Sequence, residues 1–296
     1  MKVLVFGGSF DPVHKGHVSL FRRAMKVIAP DVAHIVPAYH SPFKAKSPTP
    51  FRLRMKMLKL AFAGFGKNIV FDDYELKQGG KTYTYQLVQY LKKRYDNPEI
   101  YLLVGTDCLN DLHNWKNPGY IFDNAVVVAG KRKGYNENPA QFNHLFLPGF
   151  FPKLSSSRVR AHILACGDVP DTVPEIIAPI IRENNLYGLD VHTWLKAHLK
   201  PNRYLHSKNV AEMAAAFSDI YDVNVELAVK AGIMHDAGKG FSGPELIAFC
   251  KEHKIKVPFF EDICRMEPSL LHSYVSAWIA QHEFGVTNKD VIRAIA

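Results

Sequence analysis

The chain has 296 residues, 47% of them apolar, with a formal net charge of +9; that is enough apolar chain for two buried cores and too much for a disordered or stapled scaffold. Its cysteines, Cys108, Cys166, Cys250 and Cys264, form no CxxC pair, which argues against a zinc knuckle or disulfide framework and for a reducing, cytoplasmic setting. The apolar run behind Met1 is too short for a signal peptide and no later stretch is long enough to span a bilayer, so a soluble protein is expected.

The first element is a buried strand over Val3–Phe6, which runs straight into the turn GGSFDPVHKGH, residues 7–17. Further strands are predicted over Ala33–Pro37, Ile69–Phe71, Ile100–Val104 and Ala125–Ala129, with helical patterns between them over Val18–Ile28, Phe51–Ala63, Tyr83–Arg94 and Cys108–Leu112. This alternation predicts an α/β fold with a doubly wound, Rossmann-like parallel sheet. A helix over 173–184 follows, with Gly188 as its stop signal. Beyond Asp190 no strand pattern remains. Helices are predicted over Val191–His198, Arg203–Tyr221, Val225–His235, Pro244–His253, Leu270–Glu283 and Lys289–Ala296, an all-α second domain. The expected domains are therefore 1–190 and 191–296.

Charge divides at the same place. Residues 1–190 hold 25 Lys and Arg against 16 Asp and Glu, whereas 191–296 hold 12 against 12. The excess belongs to the first domain and suits polyanions. No basic run carries interleaved aromatics, so small phosphates are favoured over nucleic acid.

The turn after the first strand is the prime ligand position of an open α/β sheet. Gly7 and Gly8 let a phosphate approach the backbone closely, and Ser9 and Phe10 continue the turn as candidate ATP-site residues. His14 and His17 lie three apart as a helix begins, which puts both imidazoles on one face beside unpaired N–H groups. Gly16 keeps the space between them open. Such a pocket binds a polyphosphate and donates hydrogen bonds to charge developing on it.

With His14-Lys-Gly-His17 in this strand-turn-helix context, the sequence resembles the HxGH nucleotidyltransferases. The order of further landmarks resembles bacterial nicotinate-mononucleotide adenylyltransferases: Pro37 to Lys44, Glu75-Leu-Lys, Thr82-Tyr83-Thr84, Gly105-Thr-Asp107, Trp115, Lys131-Arg132 and Leu154-Ser-Ser-Ser-Arg-Val-Arg160. The resemblance implies adenylyl transfer from ATP to nicotinate mononucleotide, with Mg²⁺, giving nicotinate adenine dinucleotide and pyrophosphate. It assigns catalysis to His14, His17 and Arg160, and the ATP site to the glycine turn with Gly105, Asp107, Ser156 and Ser157. It assigns the pyridine nucleotide to Lys44, Thr82, Tyr83, Trp115 and Arg132; here Ala38-Tyr-His-Ser-Pro departs from the family's Pro-Pro-His-Lys. Other acceptors of the same superfamily, nicotinamide mononucleotide and phosphopantetheine, stay open as alternatives, as does a nucleotide-binding regulator without turnover.

In the helical domain, His206, the adjacent pair His235-Asp236 and His272 lie on separate predicted helices. Histidines and a carboxylate converging in a bundle core can hold a metal that binds phosphate and activates water. The order H, HD, H over residues 200–296 resembles the HD metal-dependent phosphohydrolases, among them the symmetrical diadenosine-tetraphosphate hydrolases. That resemblance implies a divalent metal, iron among the candidates, a dinucleoside polyphosphate substrate, and Lys239 as a phosphate contact. It also implies a further histidine and a late aspartate where the chain stops at Val291-Ile-Arg-Ala-Ile-Ala296. A C-terminally incomplete domain with one metal and weak or no hydrolysis is expected, either from a shortened reading frame or from a decayed domain kept for packing.

Overall fold

The computed structural model describes residues 1–39, 49–132, 144–152 and 154–296. Two compact units emerge: Met1–Ser156 with Asp171–Ile180, and Ser157–Pro170 with Ile181–Ala296.

The first unit is built on a sheet of six parallel strands. In chain order it has β1 (Lys2–Gly8), α1 (Lys15–Ile28), β2 (Val32–Pro37), α2 (Phe51–Ala61), β3 (Ile69–Phe71), α3 (Tyr74–Gln78), α4 (Thr84–Arg94), β4 (Glu99–Gly105), α5 (Thr106–Asp111), α6 (Pro118–Asn124), β5 (Val126–Arg132) and β6 (His144–Phe151). The strand order is β3-β2-β1-β4-β5-β6, every pairing parallel. The order reverses between β1 and β4, so the carboxyl ends of these two strands flank the crevice of a doubly wound sheet.

Apolar runs explain the central strands. Val3, Leu4 and Val5 are fully buried, as expected where helices cover both faces of a parallel sheet. On one face Val3, Val5, Val36 and Leu102 pack with Leu87, Val88 and Leu91 of α4. α1 contributes Leu20, Phe21, Ala24 and Ile28, spaced for one helical stripe.

The second unit carries α7 (Ser156–Cys166) from Ser157 onward, then the last part of α8 (Ala178–Glu183), α9 (Leu189–His198), α10 (Pro201–Ile220), α11 (Val225–Met234), α12 (Gly243–Glu252), α13 (Phe260–Met266), α14 (His272–His282) and α15 (Lys289–Ile295). Its core joins Leu164 and Leu195 to Ala211, Ile233, Leu271, Val275 and Ile279.

The predicted elements are present with shifted ends. Tyr83 caps α4 instead of opening it, and the predicted 173–184 helix is a short 3-10 turn over Glu175–Ile177 followed by α8. β6, α3, α6 and α13 are additional.

Candidate active sites

In the sheet unit, β1 ends at Gly8 and the chain turns toward α1. Phe10 takes a left-handed backbone, φ 47°, and is 1% exposed. Its ring meets Phe6 edge-on at 5.1 Å and His17 at 5.0 Å. A buried aromatic thus anchors the turn from beneath.

His14 is the N-cap of α1 and His17 its third residue. The His17 N–H donates to His14 Nδ1 at 3.3 Å, and the His14 N–H donates to His17 Nδ1 at 3.2 Å. This is a capping box built from two histidines, which is why they stand three apart. The rings stack at 3.6 Å. A ring nitrogen that accepts a hydrogen bond carries no proton, so both rings hold theirs on Nε2. A Cβ on Gly16 would sit 3.0 Å from His14 Cε1 and Nδ1 and 3.3 Å from Leu154 Cβ. Glycine at this position lets His14 keep its cap.

Neighbouring elements fix the turn. Ser156 Oγ donates to Pro12 O at 3.0 Å. Arg54, 2% exposed, sends Nη1 to Ser9 O at 2.8 Å and Ala38 O at 2.7 Å, and Nε to Thr49 O at 3.2 Å. One buried guanidinium therefore ties the glycine turn to the end of β2. Arg54 was not among the expected site residues. The signal was its place in register with the buried Met57 and Leu58, three and four positions on, where a cation needs partners. Beside it, Glu75 accepts from the Tyr39 N–H at 3.0 Å. Burial pushes its carboxyl up to about 7, against the opposing pull of the Tyr39 N–H and Arg54.

Gly105 ends β4, directly beside β1 and facing Gly130 of β5. Thr82 is 5% exposed and its Oγ1 has no hydrogen-bond partner among the described residues. A buried orphan hydroxyl is rare and calls for an explanation such as a ligand. Tyr83 N–H donates to Gln86 Oε1 at 2.9 Å, and Lys116 Nζ stands 5.3 Å over the Tyr83 ring. Trp115 is half-buried against the apolar cluster of α4 and β4. Lys44 and the side chains of Asp107 and Arg132 lie outside the described residues.

Ser157 and Arg160 fall in the helical unit. There Arg160 makes a two-pronged pair with Glu226 of α11, Nε–Oε2 2.8 Å and Nη2–Oε1 2.5 Å, while its Nη2 also donates to Ser157 Oγ at 3.2 Å.

The same unit brings the predicted metal ligands together. One ligand atom each from His206, His235 and Asp236 lie within 4.8 Å of one another. His206 Nε2 is 3.7 Å and His235 Nε2 3.5 Å from the Asp236 carboxylate, and His272 Nε2 reaches it at 3.4 Å. Nδ1 of His235 is committed to Gly232 O at 2.8 Å and that of His272 to Ser269 O at 2.6 Å. Backbone bonds of this kind fix the tautomer and leave Nε2 for coordination. Gly238 lets α14 close in: its N–H bonds Ser276 Oγ at 2.8 Å, and a Cβ there would lie 2.5 Å from His272 O. Burial pushes the Asp236 carboxyl up, but the hydrogen bond from His272 and the attraction of His235, His272 and His206 outweigh it and hold it below its ordinary range. Arg203 Nη1, 3.5 Å from Asp236, also faces the cluster and was missed; its place one turn before His206 was the available signal. The donor set of imidazoles and one carboxylate fits a divalent transition metal.

A parallel sheet whose first helix is capped by a histidine pair, at the strand-order reversal, defines a nucleotide-binding α/β unit of the nucleotidyltransferase kind. The chain belongs to the cytidylyltransferase-like family, whose model matches residues 5–162, and residues 203–296 match the HD domain. A Mycoplasma genitalium protein named a probable nicotinate-nucleotide adenylyltransferase/Ap4A hydrolase is 29% identical over 299 residues, covering 99% of this chain and 80% of its own. A probable nicotinate-nucleotide adenylyltransferase of Clostridium tetani is 31% identical over 198 residues, covering 63% of this chain and 98% of its own. Among solved structures, the Plasmodium falciparum nicotinic acid mononucleotide adenylyltransferase complexed with NaAD shares the fold at TM-score 0.55 and 21% identity, over 63% of this chain and 97% of its own.

Proposed function

We propose that this chain is a cytoplasmic nicotinate-nucleotide adenylyltransferase of NAD biosynthesis with a metal-dependent HD-type hydrolase joined to it. The observation that carries the first activity is the reciprocal His14–His17 bonding at the start of α1, which engages Nδ1 of both imidazoles and leaves their protons on Nε2. The names of the relatives support the acceptor. Among the described residues no helix is long and apolar enough to cross a membrane. We take residues 1–190 as the transferase part and 191–296 as the HD-type part, the family matches falling inside those limits.

A mononucleotide phosphate is already ionised at neutral pH, so it can attack the α-phosphorus of MgATP without a general base. The protein then has to align the reactants and stabilise charge as pyrophosphate leaves. His14 and His17 donate to the phosphoryl oxygens, and the amides of Gly7, Gly8, Ser9 and Phe10 line the chain beside them. Gly105, Asp107 and Ser156 of the same unit complete our assignment for ATP. Lys44, Thr82, Tyr83, Trp115 and Arg132 are assigned to the pyridine nucleotide, with the orphan Thr82 hydroxyl as a donor to the carboxylate.

For the HD-type part we assign His206, His235, Asp236 and His272 as ligands of one divalent metal, iron among the candidates, and a dinucleoside polyphosphate such as Ap4A as substrate. When bound, such an ion neutralises phosphate charge and activates water. Arg203, 3.5 Å from Asp236, is its cationic neighbour, and Lys239 is assigned as a phosphate contact.

The test is pyrophosphate release from MgATP with nicotinate mononucleotide, nicotinamide mononucleotide, phosphopantetheine or no acceptor. Release confined to the pyridine mononucleotides, at least tenfold faster with nicotinate, is expected. Release with phosphopantetheine alone, or with no acceptor, overturns the reading.

A further inference from the structure

A second group of ligand-type side chains sits in the helical unit, on residues given no role above. His162 and Cys166 are one turn apart on α7, Asp168 lies just beyond its end, and Glu212 comes from α10. Cys166 Sγ is 3.8 Å from His162 Nδ1 and donates to Glu212 Oε1 at 3.5 Å; His162 Nε2 is 3.2 Å from Asp168 Oδ1. One ligand atom each from His162, Cys166 and Asp168 fall within 4.8 Å of one another.

We propose that His162, Cys166, Asp168 and Glu212 form a structural site for a thiophilic divalent cation, Zn²⁺ by preference, that clamps the end of α7 to α10. The donors argue for it. One thiolate, one imidazole and two carboxylates make a four-ligand set that zinc accepts and that hard cations such as Mg²⁺ do not seek. The distances argue for it too. Tetrahedral zinc with bonds of about 2.0 to 2.3 Å separates its ligand atoms by roughly 3.3 to 3.6 Å; Cys166 Sγ lies 3.8 Å from His162 Nδ1 and 3.5 Å from Glu212 Oε1, while Asp168 Oδ1 meets the other ring nitrogen, Nε2, at 3.2 Å. A shared ion requires the exposed His162 and Asp168 side chains to turn so that one ring nitrogen of His162 faces the other ligands.

Charge and access agree. Binding displaces the thiol proton now donated to Glu212, leaving three anionic ligands around a doubly charged ion. Burial, Glu212 and Asp168 push the metal-free Cys166 thiol up to about 11, with Lys208 pulling the other way, so the cation has to displace that proton and Lys208 offsets part of the negative charge that remains. The His162 and Asp168 side chains are 43% and 70% exposed, so an ion can reach the site from solvent. This cluster shares no residue with His206, His235, Asp236 and His272, and the inference does not depend on the proposed activities.

The experiment is a Co²⁺ titration of the full chain, followed by the thiolate-to-cobalt charge-transfer absorption in the near ultraviolet. The wild type should develop that absorption, lose it on addition of Zn²⁺, and gain several degrees of thermal midpoint with Zn²⁺. Cys166→Ser should abolish the absorption, Glu212→Gln should weaken Co²⁺ binding at least tenfold without altering the circular dichroism, and His235→Ala should leave the absorption intact. No thiolate band with Co²⁺ in excess, a band that survives Cys166→Ser, or a band lost in His235→Ala would each overturn the proposal.

Discussion

Single residues carry the acceptor preference and the pH response. Thr82 buries a hydroxyl with no partner among the described residues, so Thr82→Val removes an unsatisfied group and should leave stability unchanged or slightly raised. The same change should lower kcat/KM for nicotinate mononucleotide about tenfold, and far less for nicotinamide mononucleotide, when both are assayed at saturating MgATP. Equal losses on both would separate Thr82 from the carboxylate. Glu75 supplies the pH argument. Its carboxyl, pushed by burial from 4.5 to about 7, holds a proton in the folded chain that the unfolded chain has released, so stability falls as pH rises across that interval and levels off above it. The thermal midpoint of Glu75→Gln relative to wild type should therefore climb from pH 4.5 to pH 7.5. A difference that stays flat would show that Glu75 is not held protonated.

At the scale of elements, the start of α1 links sequence to site most tightly. Gly16→Ala adds a good helix former worth about 0.5–1 kcal/mol in an ordinary helix, yet its Cβ must displace the His14 ring at 3.0 Å. Stability should change little while turnover drops at least tenfold, a split read by thermal melts beside steady-state rates. Here the sequence was informative, because the strand, the glycine turn and the histidine spacing each have one local physical cause. Elsewhere it was less so. β6 contains Pro148-Gly149, which reads as a turn; an edge strand tolerates proline, and β6 lies at the edge with an irregular register beside Gly130 and Arg132. α13 is short and entered through a left-handed Phe259, φ 53°, so it lacks the usual capping signal. Arg54 was hidden by chemistry: an arginine in a basic amphipathic helix looks like solvated charge until its three carbonyl partners are brought in by the fold.

For the whole molecule, the two compact units each own a core and a cluster of chemistry-bearing side chains. His235→Ala combined with Asp236→Ala should remove the divalent metal from the HD-type centre, seen by elemental analysis, while pyrophosphate release stays within about twofold, as expected for cores that fold separately. The proposed metal ligands His206, His235 and His272 were read in the sequence as a pattern on predicted helical segments, whereas the Nδ1 anchors of His235 and His272 required the backbone. The central claim is that a neutral His14–His17 pair stabilises charge during adenylyl transfer. The most direct measurement is kcat for nicotinate adenine dinucleotide formation from MgATP and nicotinate mononucleotide by His17→Ala. Loss of one preorganised donor predicts a fall of about a hundredfold or more, with an unchanged circular dichroism spectrum. A correctly folded His17→Ala protein that turns over at nearly the wild-type rate would contradict the account.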